Sequence, residues 1–356
     1  MGRPSHLKTR RPGANRRDFF KQSGSTALAF GSVLSLAGPA QAAAGVFQHG
    51  VASGDPLSDR VILWTRVTPP VAKASVTVDY VIAIDPAMSN VLYRGRTKTS
   101  VTRDYTVKVD ADRLQPGTTY YYRFTAEGAD SPVGRTKTLP AGTASHLRMA
   151  VVSCSNFAYG YFNAYARIAE RADLDLVLHL GDYIYEYGNG IYGSVRPCVP
   201  PTEIVTLSDY RARHAQYKAD LDSQAMHRQH PLVAIWDDHE TANNAFKDGA
   251  ENRDAGEGTW PARVAAAMQA YYEWMPVRPV TVADLRRNDR SFSYGNLADI
   301  FMLEQRLTAR SEQLGSNIGS VDGYFIQSDA FLDPNRQLLG TPQETRLFSQ
   351  LRTTSA

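Results

Sequence analysis

Across residues 45–140, apolar and polar positions alternate with a period of two in four short runs, at 61–66, 75–84, 104–109 and 120–124. Such alternation sets one face of a strand against a core and the other in water. Turn-forming residues separate the runs at the spacing of a β-sandwich. From Leu147 the pattern changes: an apolar run at 147–152, a helical stretch near 161–171 and a second apolar run at 174–180 predict a βαβ unit. A helix is predicted over 208–226, a buried strand over 232–236, a helix over 261–275 with Pro261 suited to the first turn, and one more strand over 299–303.

The stretch Leu114-Gln-Pro-Gly-Thr-Thr-Tyr120 resembles the tyrosine corner of fibronectin type III sandwiches, in which a tyrosine hydroxyl bonds upstream backbone. Residues 139–145 have linker composition. The expected organisation is a small fibronectin type III-like β-sandwich over 43–142, followed by an α/β unit over 147–356.

With 43% hydrophobic and 21% charged residues, the 356-residue chain is ordinary globular material, with length for about two domains. Its formal charge of +3 is concentrated at one end. Arg3, Lys8, Arg10, Arg11, Arg16, Arg17 and Lys21 face only Asp18 within residues 1–42, which leaves 32 basic against 35 acidic residues beyond them, a formal −3. No electrostatic motive for nucleic-acid binding remains. The basic segment continues into an apolar run at 25–38 and Ala40-Gln41-Ala42, a small-residue cleavage pattern, so residues 1–42 read as a signal peptide. Arg16-Arg17-Asp18-Phe19-Phe20-Lys21 resembles the twin-arginine export signal, implying an export machinery that carries folded proteins, often with a metal or cofactor loaded. No lipid-attachable cysteine lies near the cleavage site, so no stable membrane anchor is expected. The final compartment is expected to be periplasm, cell wall or medium. Cys154 and Cys198 are the two cysteines, enough for one bridge but not for a disulfide framework.

In open α/β sheets, ligands bind beyond the carboxyl ends of strands. Ser153-Cys154-Ser155-Asn156 follows the first apolar run, Gly181-Asp182-Tyr183-Ile184-Tyr185-Glu186 the second, and Asp237-Asp238-His239-Glu240 the third. Thiolate, carboxylate, phenolate and imidazole are all metal ligands, and three such clusters on one rim can surround one or two ions. Asp and Asn at strand ends also serve as turn formers and caps, but capping does not account for Cys154 or for an acidic pair before a histidine.

Gly181-Asp182, followed some fifty residues later by Asp238-His239-Glu240, resembles the calcineurin-like metallophosphoesterase pattern. The closer resemblance is to the PhoD-like alkaline phosphatase family. It is carried by Phe47-Gln-His-Gly-Val-Ala-Ser-Gly-Asp-Pro56, Trp64-Thr-Arg66, Ser153-Cys-Ser155, His179-Leu-Gly-Asp-Tyr-Ile-Tyr-Glu186 and Trp236-Asp-Asp-His-Glu240. The resemblance implies Asp182 as a carboxylate bridging two metals and Cys154 with Tyr185 as ligands of an iron. It implies Asp238 as a ligand of a harder second metal, calcium, and His239 as the group that protonates the leaving oxygen or steadies phosphoryl charge. A buried thiol or a bridge to Cys198 is the other reading of Cys154, and a core aromatic that of Tyr185. For His239 the alternative is a helix-capping histidine or one that supports the metal from behind. Asn156, Asn243 and Asn244 are candidates for phosphate or calcium contacts, and Arg211, Arg213 and Arg306 for phosphate. His179 reads as a satisfied core histidine.

The implied reaction is hydrolysis of a phosphomonoester or phosphodiester by a metal-bound hydroxide, without a phosphoenzyme. A phospholipase D-like phosphodiesterase and a catalytically incomplete binding or scaffold protein are the alternatives. The family pattern also continues beyond Ala356 with a Gly-Asp-x-His-type segment and further strands. An exposed sheet edge and poor solubility of residues 43–356 are therefore expected. Glu304-Gln305-Arg306 stands where the family commonly shows Asp-x-Arg.

Overall fold

The computed structural model describes residues 45–314, 320–321, 324–325 and 331–354, so the signal sequence read over 1–42 lies outside the described residues. Its first strands are β1 (Val51–Gly54), β2 (Val61–Arg66), β3 (Ser75–Ala83), β4 (Val91–Ser100), β5 (Thr106–Ala111), β6 (Thr119–Ala126), β7 (Ala129–Asp130) and β8 (Gly134–Lys137). They form two facing layers. β4, β3, β6 and β7 make one sheet, with β8 also paired to β6, while β1, β2 and β5 make the other. Alternate residues point inward, so Val61, Leu63, Val107 and Val109 from one layer bury against Val76, Val78, Tyr120, Tyr122 and Phe124 from the other. Tyr120 Oη accepts the Gln115 N–H at 2.7 Å, the bond expected of the tyrosine corner. The long β4 was not legible in the alternation pattern because half of its residues are exposed and only Thr99 is buried, on an outer edge of the sheet.

The second region adds β9 (Met149–Val152), α1 (Asn163–Ala169), β10 (Leu176–His179), α2 (Leu207–Ala219), α3 (Leu221–Gln229), β11 (Pro231–Ala234) and α4 (Trp260–Trp274). The hairpin β12 (Arg290–Tyr294) and β13 (Ala298–Met302) follows, then the short pair β14 (Ser320–Val321) and β15 (Tyr324–Phe325), and finally α5 (Thr341–Thr353). β9, β10 and β11 pair in parallel. β1 then joins β11 in parallel through Ser53 with Pro231 and Gly54 with Leu232, giving one six-stranded sheet in the order β5-β2-β1-β11-β10-β9. Strands from the regions expected at 43–142 and at 147–356 thus pair within one sheet. The junction needs a glycine, because a Cβ on Gly54 would lie 2.3 Å from the Pro276 carbonyl and 2.7 Å from that of Leu232.

The parallel strands are covered on both faces, as their apolar runs require. Val177, Leu232 and Ala234 face the core built with Tyr165, Tyr183, Tyr210, Tyr217, Val264, Met268 and Tyr271, whereas Leu176 and Val233 face Phe292, Tyr294 and Met302 of the hairpin. The strand expected at 299–303 thus belongs to a covering hairpin. The helix predicted over 208–226 is two helices, because Asp220 is extended (φ −67°, ψ 128°) and its carboxylate caps the second by accepting from Asp222 and Ser223 N–H. Thr206 and Asp209 form a reciprocal capping box at the start of the first. β9 ends the sheet on one side, and its Val151 is 55% exposed.

Candidate metal centre

Three turns leave the carboxyl ends of β9, β10 and β11 side by side. Two carry a non-glycine residue in the left-handed region, Cys154 at φ +56° and Asp182 at φ +54°, a conformation that costs free energy unless its surroundings enforce it. Cys154 N–H donates to the Gly181 carbonyl at 3.1 Å and Ser155 N–H to that of Asp182 at 2.9 Å. Gly181 itself (φ +111°) packs so closely that a Cβ would lie 2.4 Å from the Asp237 nitrogen. The fully buried Glu240 carboxylate ties the second turn to the third by accepting the N–H groups of Tyr183 (2.6 Å) and Asp237 (2.9 Å). Burial pushes its pKa up to about 8, with the Asp182 charge adding to the rise.

The turns bring Asp182, Asp238 and His239 together, with one ligand atom of each within 4.8 Å of the others. Cys154 and Tyr185 also stand against Asp182. Tyr185 donates its hydroxyl to Asp182 Oδ2 at 3.1 Å, and the Cys154 thiol meets both side chains. Asp182 Oδ1 is buried without a partner. Burial raises the Asp182 pKa, the positive charge of His239 opposes it, and the charges of Asp238 and Asp237 add to it. Burial likewise pushes the Cys154 thiol up and the Tyr185 phenol far up, with Asp182 next among the causes for Tyr185.

His239 Nδ1 lies 2.7 Å from Glu186 Oε2, and its ring stacks on Tyr185 with centroids 4.2 Å apart. Burial alone would lower the His239 pKa, but the hydrogen bond and charge of Glu186, with Asp238 and Asp182 behind it, push it up to about 9. Glu186 is itself buried and held by Asn243 N–H (2.6 Å) and Asn252 Nδ2 (3.1 Å). Asp238 Oδ2 accepts the Asn244 N–H at 2.6 Å. Arg306 reaches Asp237 at 2.6 Å and Asp238 at 3.4 Å, while its Nη1 is buried without a partner. The turn carrying Arg306 is built on Glu304, which accepts from Trp236 Nε1 and from the N–H groups of Arg306, Leu307 and Thr308. The longer side chain at that position thus serves as the anchor of its own turn.

Cys154, Asp182, Tyr185, Asp238 and His239 therefore converge, as does Arg306. The other two arginines are elsewhere. Arg211 is taken by Glu273 and the Thr102 carbonyl, and Arg213 is buried with its guanidinium spent on the carbonyls of Tyr185, Tyr187, Val199 and Pro200. Asn156 spends its side chain on Ala158 N–H and the Tyr192 carbonyl. Asn243 and Asn244 both donate side-chain N–H to Glu251, and they meet the centre through their backbone. Both cysteines are free thiols, Cys154 exposed and Cys198 buried, so the bridge between them does not form. Sequence reasoning assigned no role to Glu186 and Glu240, although both stand inside the quoted motifs. For Glu186 the signal was a carboxylate among apolar and aromatic residues, which must find donors once buried, whereas Glu240 stands in a polar stretch that gave no such signal.

Four buried carboxylates against one imidazolium and one guanidinium, with a carboxylate oxygen left unpartnered, form a site suited to a cation. The parallel sheet thus gathers carboxylate, imidazole and thiol groups at the ends of three adjacent strands. The PhoD-like phosphatase family model matches residues 149–356, and the model of that family's N-terminal domain matches residues 33–140. The chain belongs to the PhoD-like phosphatase family. Alkaline phosphatase D of Bacillus subtilis (strain 168) is 42% identical over 325 residues, covering 87% of this chain and 54% of that protein. A solved structure described as that of PhoD superposes with a TM-score of 0.79 at 40% identity, covering 88% of this chain and 61% of the other. The chain thus spans little more than half the length of these relatives.

In chelator-treated protein, NMR titration is expected to place the His239 midpoint near 9, and Glu186→Gln to lower it. Because the folded-state value lies above the ordinary 6.5, stability from this pair is fully present below that pH and is lost as pH rises through about 9. A midpoint unmoved by Glu186→Gln would contradict the assignment.

Proposed function

We propose that the protein is an exported, metal-dependent phosphoesterase of the alkaline phosphatase D type. The observation that carries this reading is the position of Asp182. Its carboxylate meets the Cys154 thiol and the Tyr185 hydroxyl and also has ligand atoms of Asp238 and His239 within 4.8 Å, with one buried oxygen lacking a hydrogen-bond partner. One short carboxylate so placed can serve two ions at once. Cys154 and Tyr185 offer the soft and phenolic donors that suit iron, and Asp238 offers the hard oxygen that suits calcium. A metal pair held there supplies Lewis-acid and water-activating chemistry.

The chain's own groups complete the reaction. Arg306 is fixed by Asp237 and reaches Asp238, so its guanidinium is the cationic group beside the centre for a phosphoryl oxygen. His239, kept protonated by Glu186 and held by the Tyr185 ring, is placed to give a proton to the leaving oxygen as water replaces it on phosphorus. Both phosphomonoesters and phosphodiesters fit this scheme, because the donors address the phosphoryl group and leave the ester substituent open.

Asp182→Ala is expected to abolish iron and calcium uptake in elemental analysis. It should lower hydrolysis of p-nitrophenyl phosphate and bis(p-nitrophenyl) phosphate on the order of 100-fold or more. Their ratio in the unaltered protein separates monoesterase from diesterase. Full activity in the variant would overturn the reading, and metal-free, inactive unaltered protein would favour a scaffold. Export rests on Arg16-Arg17-Asp18-Phe19-Phe20-Lys21 and the apolar run behind it. Among the described residues no helix is long and apolar enough to cross a membrane. Replacing both Arg16 and Arg17 by Lys is expected to leave the protein in the cytoplasm. Unimpaired export would refute the twin-arginine route.

A further inference from the structure

His179, the last residue of β10, is fully buried beneath the two strained turns rather than among apolar side chains alone. Its Nδ1 accepts the Gly181 N–H at 3.3 Å. Burial keeps the ring neutral by lowering the imidazole pKa to about 3, and with Nδ1 used as an acceptor the single ring proton sits on Nε2. Nε2 lies 3.1 Å from the Tyr165 hydroxyl and 3.4 Å from Ser155 Oγ. Since Nε2–H donates to the phenol oxygen, the Tyr165 hydroxyl keeps its own proton for Ser155, to which it is hydrogen-bonded. One buried relay thus runs from the Gly181 amide through His179 and Tyr165 to Ser155. Its two ends are the immediate neighbours of Asp182 and Cys154. Those two residues carry positive φ at a cost that packing must cover.

We infer that His179, acting through Tyr165 and Ser155, is a positioning residue that holds the Cys154 and Asp182 turns in register so that thiol and carboxylate can meet on one ion. This rests on the metal-centre reading above, yet the relay acts whether or not an ion is present.

The test separates the two ideas. In chelator-treated protein the reaction of Cys154 with an aromatic disulfide reagent is timed, Cys198 being buried. His179→Phe removes both nitrogens. Tyr165→Phe removes only a hydroxyl while keeping the ring and its packing. His179→Asn keeps an acceptor near the Nδ1 position for Gly181. Both Phe variants are expected to change the Cys154 rate by about five- to tenfold with a cooperative thermal transition retained, and His179→Asn by less. Iron affinity, titrated with the metal alone, is expected to fall about 10- to 100-fold in the Phe variants. If His179→Phe does not fold, Tyr165→Phe carries the comparison. A Cys154 rate within twofold of the unaltered protein in every folded variant overturns the positioning role. If the unaltered protein binds no iron, the metal reading fails, while the thiol rates still decide the relay.

Discussion

A carboxylate taken out of water with one oxygen unpartnered is among the most costly features a folded chain can carry, and Asp182 is in that state. Asp238 and Glu240 stand close by and are buried as well. The rest of the centre manages this concentrated negative charge. Burial raises the carboxyl pKa of Asp182 and of Glu240, which makes loss of a proton less favourable at both. His239 and Arg306 supply the positive charge, and each is fixed in place by a second carboxylate, Glu186 or Asp237. A cation bound beside Asp182 would relieve the same cost more completely.

Such an arrangement survives only on a rigid frame. The frame is the parallel sheet, whose strand ends present three turns within hydrogen-bonding distance of one another. β1 extends that sheet into the sandwich, so the layer that packs Val61 and Leu63 into one core is continuous with the strands that deliver Asp182 and Asp238. The backbone of Tyr185 and Tyr187 is held by Arg213, which explains why a fully buried arginine stands there. Its guanidinium donates to a run of carbonyls that no strand or helix satisfies.

Much of this was legible in the residues. Period-two alternation marked β2, β3, β5 and β6, and apolar runs followed by acidic or thiol residues marked all three turns of the centre. Tyr120 announced its corner through the Pro-Gly turn before it. What was not legible depends on contacts between segments distant in the chain. Nothing in Val51-Ala-Ser-Gly54 shows that its partner is β11, some 180 residues away. Asp220 ends one helix and caps the next, a choice between continuing and breaking that the surrounding helical residues leave open. Arg211 and Arg213 looked as available as Arg306. Burial against carbonyls removed Arg213, and the Glu273 pair removed Arg211. His179 looked like a core histidine and is one, but its two nitrogens face the turns it supports.

If Cys154 and Asp182 share one ion, X-ray absorption at the iron edge of the iron-loaded protein will detect both kinds of neighbour. The account predicts a sulfur neighbour to iron that disappears in Cys154→Ser while oxygen neighbours remain. An iron surrounded by oxygen and nitrogen alone in the unaltered protein, or no iron bound at all, would contradict it.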